Sequence, residues 1–217
     1  MPSLPRSPLS PSDTCGGPAR AYLERAEHVF GNLLQRLYAL AEDADQGRPW
    51  SGADLAHTVA RLENALRALF DYLDVPHGEF EELPAAEVVQ SLATVLREGL
   101  GGPVPVALGP EVMRGRLLVD LRALPVAWRA VVEGLKGGRD AGASESSRGP
   151  EIQAEAVGGQ LELQIKMPAG WVSQRWVEAE LWWAMVAKVT ERQGGELQRD
   201  RKQGGEITWS IRLPLVA

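Results

Sequence analysis

Apolar residues recur in alternating steps of three and four along residues 19–45, and again along residues 55–73. This spacing places them on one face of each helix and is typical of helices that pack side by side. Gly, Pro and Ser interrupt the pattern between the two segments, and Ser51 suits the N-cap of the second helix. We therefore predict an antiparallel helical hairpin over residues 19–75. The predicted contact positions are Leu23, Ala26, Phe30, Leu33, Leu37, Leu40 and Ala44, followed by Leu55, Val59, Leu62, Leu66, Leu69 and Leu73.

The apolar face of the first helix is wider than one partner helix can cover. Val29, Leu34, Tyr38 and Ala41 extend it beyond the predicted contact positions. A second copy of the hairpin would cover this surplus by forming a four-helix bundle. The pattern thus predicts a homodimer.

A mixed pattern replaces the helical one over residues 80–217. Helical spacing is present in "AAEVVQSLATVLREGL", "LPVAWRAVVEGL" and "WVEAELWWAMVAKVTERQ", and strands are predicted in "PVPVAL" and "GRLLVDL". "EIQAEAVGGQLELQIKM" alternates on both sides of a Gly-Gly pair, and the end of the chain repeats this arrangement, which is typical of β-hairpins. Residues 136–150 have the composition of a flexible surface loop. We predict the α+β class, with helices on one face of a mostly antiparallel sheet.

Composition narrows the range of partners and locations. The formal net charge of −6 disfavours nucleic acid as a partner, because phosphate binding requires a basic surface. No apolar run approaches the roughly 20 residues that span a membrane, so no membrane association is expected. Residues 1–18 are rich in Pro and Ser, lack the apolar core of a secretory signal, and are predicted to be a disordered tail. The single cysteine, Cys15, lies in that tail. A cytoplasmic protein without a disulfide or a cysteine-bound metal is expected.

The order of these parts resembles the cytoplasmic core of bacterial sensor histidine kinases, over roughly residues 20–217. "HVFGNLLQ" is similar to the segment of that family that carries the phospho-accepting histidine, with His28, Asn32 and Leu34 at the matching positions. "VAKVTERQGGELQRDRKQGGEITWSIRLPL" resembles the family's closing helix, glycine turn and β-hairpin. The resemblance implies a dimerising histidine hairpin over residues 19–75 and an ATPase-like α/β sandwich over residues 80–217.

The residues that hold ATP and magnesium in that family have no counterpart here. Ala130 and Gly134 stand where two asparagines of the family's magnesium-binding helix are expected. Met167 lies near the position of the adenine-binding aspartate, and Glu180 and Trp182 stand where two phosphate-contacting glycines belong. A carboxylate would repel phosphates, and indole rings would fill the space of the nucleotide. We therefore expect no bound ATP and no cofactor of the chain's own, and magnesium only through a partner.

The resemblance assigns phosphotransfer to His28 and Asn32. A neutral imidazole is a good nucleophile near neutral pH, and the phosphoramidate that it forms is readily passed on. Asn32, one turn further along, would help to orient the phosphoryl group. The family usually has an acid directly after the histidine, but this chain has Val29, so efficient autophosphorylation is not expected. An exposed helical histidine without any chemical role is the alternative.

A second histidine competes with His28 for this role. His57 in "LAHTVARL" is also predicted to face outward, but no asparagine or proline follows it at the matching distance. His77 lies in the "VPHGE" turn and receives no role. The pair Trp182–Trp183 is expected to pack in the core.

Three functions remain open at this point. The first is a histidine phosphotransferase of two-component signalling, a homodimer that relays phosphoryl groups between response-regulator receiver domains through His28 without ATP. The second is a non-catalytic pseudokinase that binds and regulates a histidine kinase or a response regulator, and Val29 favours it. The third is a divergent active kinase.

Overall fold

A computed structural model describes residues 17–136, 149–168, 176–201 and 206–216. Cys15 and nearly all of the predicted tail lie outside these residues, as do most of the predicted loop 136–150, residues 169–175 and the last Gly-Gly turn. The helices are α1 (Gly17–Asp45), α2 (Gly52–Leu73), α3 (Ala85–Leu100), α4 (Ala123–Lys136) and α5 (Trp176–Arg192). The strands are β1 (Phe80–Pro84), β2 (Val106–Leu108), β3 (Arg116–Asp120), β4 (Glu151–Val157), β5 (Gln160–Met167), β6 (Glu196–Arg201) and β7 (Ile207–Val216). The predicted α+β class, a helical hairpin followed by a sandwich, is confirmed.

The strands of the described residues form one sheet in the order β1-β3-β7-β5-β4-β2, with β6 also paired to β7. All pairs are antiparallel except β2 with β4. Alternate residues of β5 are buried beneath the helices, among them Leu163, which pairs with the buried Ile211 of β7. The residues between them, such as Glu162 and Arg212, form the polar face. One face of the sheet is therefore core and the other is polar.

Local sequence accounts for several element boundaries. Ser51 caps α2 as predicted, since its Oγ accepts a hydrogen bond from the Asp54 backbone N–H at 3.3 Å. Gly158 and Gly159 both have positive φ values, 59° and 79°, and they form the two-residue turn between β4 and β5. Only glycine, asparagine and aspartate accept that backbone readily, which is why the Gly-Gly pair predicted this hairpin.

The contact surface of the hairpin differs in part from the predicted one: Ala26 and Leu33 are buried as predicted, but Tyr22 and Val29 take the places of Leu23 and Phe30. The buried residues of α1 are Tyr22, Ala26, Val29 and Leu33, whereas Leu23 remains 50% exposed. The reason is that α1 packs against small residues of α2 and stacks Tyr22 on Tyr72, with ring centroids 3.5 Å apart. The sequence pattern contained two adjacent apolar stripes, and spacing alone did not show which one faces the neighbouring helix.

Strand β1 was not predicted. The segment around Phe80 contains two glutamates and ends at Pro84, so it lacks the alternation of a half-buried strand. β1 is an edge strand that pairs only with β3 in the described sheet. Charge and proline are common on edge strands because they block further pairing. The strand is thus defined by its neighbour rather than by its own pattern.

The buried carboxylate of Asp120 joins the hairpin to the sandwich. It accepts backbone N–H bonds from Gly78 at 3.0 Å, Arg122 at 2.9 Å and Ala123 at 3.0 Å. The Arg192 guanidinium, at the end of α5, adds an ion pair at 3.1 Å. Burial alone would raise the pKa of Asp120, but the three N–H bonds and Arg192 outweigh it and hold the pKa below its usual range.

Substitution of Asp120 by alanine should destabilise the protein by about 3 kcal/mol, because it leaves a cation and several N–H groups without their partner. Since the folded pKa is lowered, the ionised carboxylate contributes stability above the unfolded pKa of about 3.9, and this is lost as pH falls through the folded value. Urea unfolding between pH 7 and pH 2 should therefore show a shallower acid loss in Asp120→Asn than in the wild type. Asp45→Ala, at an exposed position, serves as the control, and an equal effect of the two alanine variants would contradict this role.

Candidate functional site

His28 lies on a face of α1 that contacts neither α2 nor the exposed apolar stripe. At about 100° per residue, it is roughly 130° around the helix from the centre of the buried face and roughly 110° from that of the stripe. The stripe comprises Leu23, Leu34 and Tyr38, and the last of these is 74% exposed. His28 is itself exposed, as predicted. A molecule in solution therefore reaches its imidazole, and would still do so if a second hairpin covered the stripe.

Asn32 contacts the histidine that it was predicted to assist. Its Nδ2 lies 3.1 Å from His28 Nε2, a hydrogen bond across one helical turn. When the amide N–H donates, Nε2 is the acceptor, so this contact orients the imidazole ring on the surface of α1.

Val29, the residue directly after His28, is neither acidic nor exposed to solvent. Val29 is 2% exposed and is packed in the core between α1 and α2. A carboxylate at this position would be buried in that interface. The imidazole of His28 therefore has Asn32 as its hydrogen-bond partner, and the acid next to it in sequence, Glu27, precedes it rather than follows it.

The other two histidines have structural surroundings. His57 is half-buried and its Nε2 is shielded from solvent, so the prediction that it faces outward is wrong. The reason is its place on α2, close to the buried position Thr58. His77, to which the sequence assigned no role, has its Nδ1 2.7 Å from Arg192 Nη2. It belongs to the group of contacts around Asp120, and no local sequence signal indicated this long-range partner.

Helices α4 and α5 meet at the positions where nucleotide-binding residues were expected. Ala130 and Gly134 are buried on α4, and a Cβ atom at Gly134 would lie 2.9 Å from the indole nitrogen of Trp183. Trp183 stacks on Trp209 of β7, with ring centroids 3.8 Å apart and an interplanar angle of 9°. Arg199 lies over the outer side of Trp209. An aromatic stack thus fills the space between α4 and the sheet.

The remaining predicted positions are also in the core. Trp182 is 1% exposed, which confirms that the tryptophan pair packs inside the molecule. Met167 is buried at the end of β5, beside Ile207. The turn that follows it, residues 169–175, lies outside the described residues. Glu180 is half-buried on the first turns of α5.

The described residues contain neither a candidate metal site nor a candidate membrane span. They contain no group of three or more His, Cys, Asp or Glu side chains placed to hold a metal ion. No helix among them has both the length and the apolar character needed to cross a membrane.

Solved structures provide the comparison for this arrangement. The histidine kinase AdeS of Acinetobacter baumannii matches with a TM-score of 0.52 and 15% identity, over 85% of this chain and 96% of that one. The fold is histidine-kinase-like. The mycobacterial sensor histidine kinase MprB matches with a TM-score of 0.42 and 17% identity, over 63% of this chain and 97% of that one. The cytoplasmic segment of histidine kinase QseC has a TM-score of 0.42 and 11% identity, over 73% and 91% of the two chains.

The conclusion about the fold depends on the AdeS match, which spans both the hairpin and the sandwich of this histidine-kinase-like chain. No protein-family model matches the sequence. No curated protein matches it either. At 15% identity, the match to AdeS concerns the fold alone.

The packing of Trp183 on α4 can be tested with two glycine substitutions. Gly134→Ala should destabilise the protein by about 1–3 kcal/mol, because its Cβ would lie 2.9 Å from the buried indole. Gly31→Ala, which meets nothing within 4 Å on exposed α1, should instead stabilise it by about 0.5–1 kcal/mol. Both glycines are inside helices, so substitution by alanine raises the intrinsic helix propensity by a similar amount at both positions. Urea unfolding measures both values, and a gain in stability for Gly134→Ala would contradict the close packing.

Proposed function

We propose that this protein is a histidine phosphotransferase of two-component signalling, which accepts a phosphoryl group on His28 from one receiver domain and donates it to another. The observation that carries the proposal is the exposed His28 imidazole, with Asn32 Nδ2 3.1 Å from its Nε2, on the outer face of the hairpin of a histidine-kinase-like fold. This arrangement offers a positioned nucleophile to a docking protein. It requires no other chemical group from this chain.

The packing between α4 and α5 supports transfer without ATP. Gly134 and Trp183 are in van der Waals contact, and the Trp183–Trp209 stack fills the region that the family resemblance assigns to the nucleotide. A nucleotide would have to displace two buried indole rings. Autophosphorylation is therefore not part of the proposed function, and the phosphoryl group comes from a partner.

The proposed transfer replaces the P–O bond of an aspartyl phosphate on the receiver by a P–N bond on His28. Once the Asn32 amide turns away from Nε2, the freed lone pair of His28 attacks the phosphorus of an aspartyl phosphate; a P–N bond forms, the P–O bond breaks, and the aspartate leaves as a carboxylate. The Nδ1 proton is released to solvent as the phosphoimidazole becomes neutral. The reverse exchange on a second receiver restores the free imidazole. Magnesium, held by the receiver, would neutralise charge on the transferring group.

The exposed apolar stripe of the hairpin supports a homodimer. Leu66 and Phe70 of α2 are 39% and 63% exposed near the start of α1, where Leu23 is 50% exposed, whereas Leu34 and Tyr38 lie toward the start of α2. A continuous apolar surface of this kind on two adjacent helices marks an interaction site. A second copy offers the same stripe, and two hairpins together form a four-helix bundle whose outer faces keep both His28 imidazoles accessible. We place this dimer in the cytoplasm, where its receiver partners act.

One observation favours a second function. Val29 is buried, so His28 lacks the acid directly after it that would take up its proton. A pseudokinase that binds a histidine kinase or a response regulator through the hairpin would need no such acid. In that function, replacement of His28 would leave partner binding and biological activity unchanged.

A phosphotransfer assay separates these two functions. The purified protein is incubated with receiver domains from the same cell, phosphorylated through their kinase, beside His28→Ala, His57→Ala and a sample with ATP only. We expect an acid-labile label on the wild type and on His57→Ala, and at least a hundredfold less on His28→Ala and with ATP only, because His28 is an exposed nucleophile oriented by Asn32, whereas His57 is half-buried. Binding of receivers without any label would indicate the pseudokinase, and label from ATP alone would indicate an active kinase.

The dimer can be tested by placing a charge on the apolar stripe. Leu66→Glu should weaken self-association by at least tenfold, because it buries a carboxylate in the centre of the proposed bundle. Ala60→Glu introduces the same charge at an exposed position of α2, roughly 120° around the helix, and should leave the dimer intact. Sedimentation velocity measures both. A monomeric wild type, or equal behaviour of the two variants, would refute this interface.

A further inference from the structure

A groove of about 220 Å³ runs between α1 and α5, where the hairpin meets the sandwich. Arg25 contributes to it from α1, and Lys188 and Glu191 from α5. The stacked rings of Tyr22 and Tyr72 line it between the two helices. The groove therefore combines an aromatic lining with charged residues from both parts of the protein.

This groove and His28 share one face of α1. At about 100° per residue, Ala21, Arg25, His28 and Asn32 fall within a sector of roughly 60°. Arg25 precedes His28 by one helical turn, a rise of about 4.5 Å along the axis. A protein surface that covers the imidazole of His28 would therefore extend directly over the groove, and helix α5 would be the next surface that it meets.

The charges of the groove favour an anionic occupant. It holds two cations, Arg25 and Lys188, and one carboxylate, Glu191, and Arg192 follows on the same helix. Lys188 donates a hydrogen bond to the Tyr72 carbonyl and lies 4.2 Å from the centroid of its ring. Burial, and then repulsion by Arg192, lower the pKa of Lys188. The lining residues thus carry two cations against one carboxylate, and Lys188 is held beside a neutral carbonyl and an aromatic ring.

The size of the groove favours a protein side chain over a small molecule. Sites that enclose a drug-sized ligand or a coenzyme usually have volumes of about 300–1,000 Å³. A volume of about 220 Å³, open to solvent, accommodates one or two acidic side chains of a larger partner. A receiver that carries an aspartyl phosphate and holds magnesium presents several carboxylates around that site, since hard cations are bound by oxygen ligands.

We propose that the groove between α1 and α5 is part of the docking surface for the receiver domain, and that Arg25 and Lys188 hold the acidic edge of the receiver while its aspartate meets His28. The inference deepens the proposed phosphotransfer and depends on it. It assigns to the sandwich a direct role in the choice of partner, because α5 forms one wall of the groove. The aromatic stack that occupies the space between α4 and the sheet leaves this wall unchanged.

The test measures binding and transfer separately, with the full chain and the receiver that labels His28. Arg25→Glu changes the charge of the groove, and Ala21→Phe fills it without removing a contact. Arg97→Glu, an exposed arginine near the end of α3, changes the net charge equally and is the control. We expect Arg25→Glu and Ala21→Phe to raise the Kd and the KM for the receiver at least tenfold, with kcat within about twofold of the wild type, and Arg97→Glu to change neither.

Each outcome distinguishes the docking proposal from the proposed function. If the receiver labels His28 but the groove variants bind it as Arg97→Glu does, the groove is not a docking surface and the phosphotransferase function stands. If Arg25→Glu lowers kcat without raising KM, Arg25 acts on the phosphoryl group and docking through the groove is overturned. If no receiver binds or labels the wild type, the proposed function is refuted, and the docking proposal is refuted with it.

Discussion

The carboxylate of Asp120 is the interaction on which the arrangement of hairpin and sandwich depends. This buried carboxylate accepts N–H bonds from the linker after α2 and from the start of α4. It also forms an ion pair with the guanidinium at the end of α5. Arg192 in turn donates to the Pro76 carbonyl and contacts His77. Three segments that are distant in sequence thus share one charge: the linker after α2, the β3–α4 junction and the end of α5. A buried ion pair adds little net stability over apolar packing but strongly disfavours any other geometry in which either charge loses its partner.

That arrangement gives α5 two neighbours and two roles. One side carries Trp183, which packs on Gly134 and stacks on Trp209. Another side meets the hairpin through Lys188 and the stacked tyrosines and forms a wall of the groove. In the proposed function, the sandwich therefore acts as a rigid part of the receptor for a receiver domain, and the hairpin supplies the nucleophile. The two halves work together because the receiver contacts both of them at once.

Most elements of this fold were predictable because their signals are local. The helical spacing, the Ser51 cap and the Gly158–Gly159 turn depend on side chains within a few residues of one another. The exposure of His28 and its spacing to Asn32 were predictable for the same reason, since both lie on one helix. Strand β1 and the contacts of His77 were not, because a distant partner defines each of them. The inward orientation of His57 was missed because neighbouring apolar stripes left the rotation of α2 undetermined.

The sequence by itself determined the order of the elements, the α+β class, the pair His28 and Asn32, and the apolar surplus of the hairpin, since periodicity and turn chemistry act over short distances. Only the tertiary structure decided which stripe of α1 packs on α2, how Trp183 fills the space beside Gly134, and that Arg25 and Lys188 face one groove. These features depend on the relative rotation and approach of whole helices. Ridges, small residues and buried charges from distant segments set that geometry together, and no single segment encodes it.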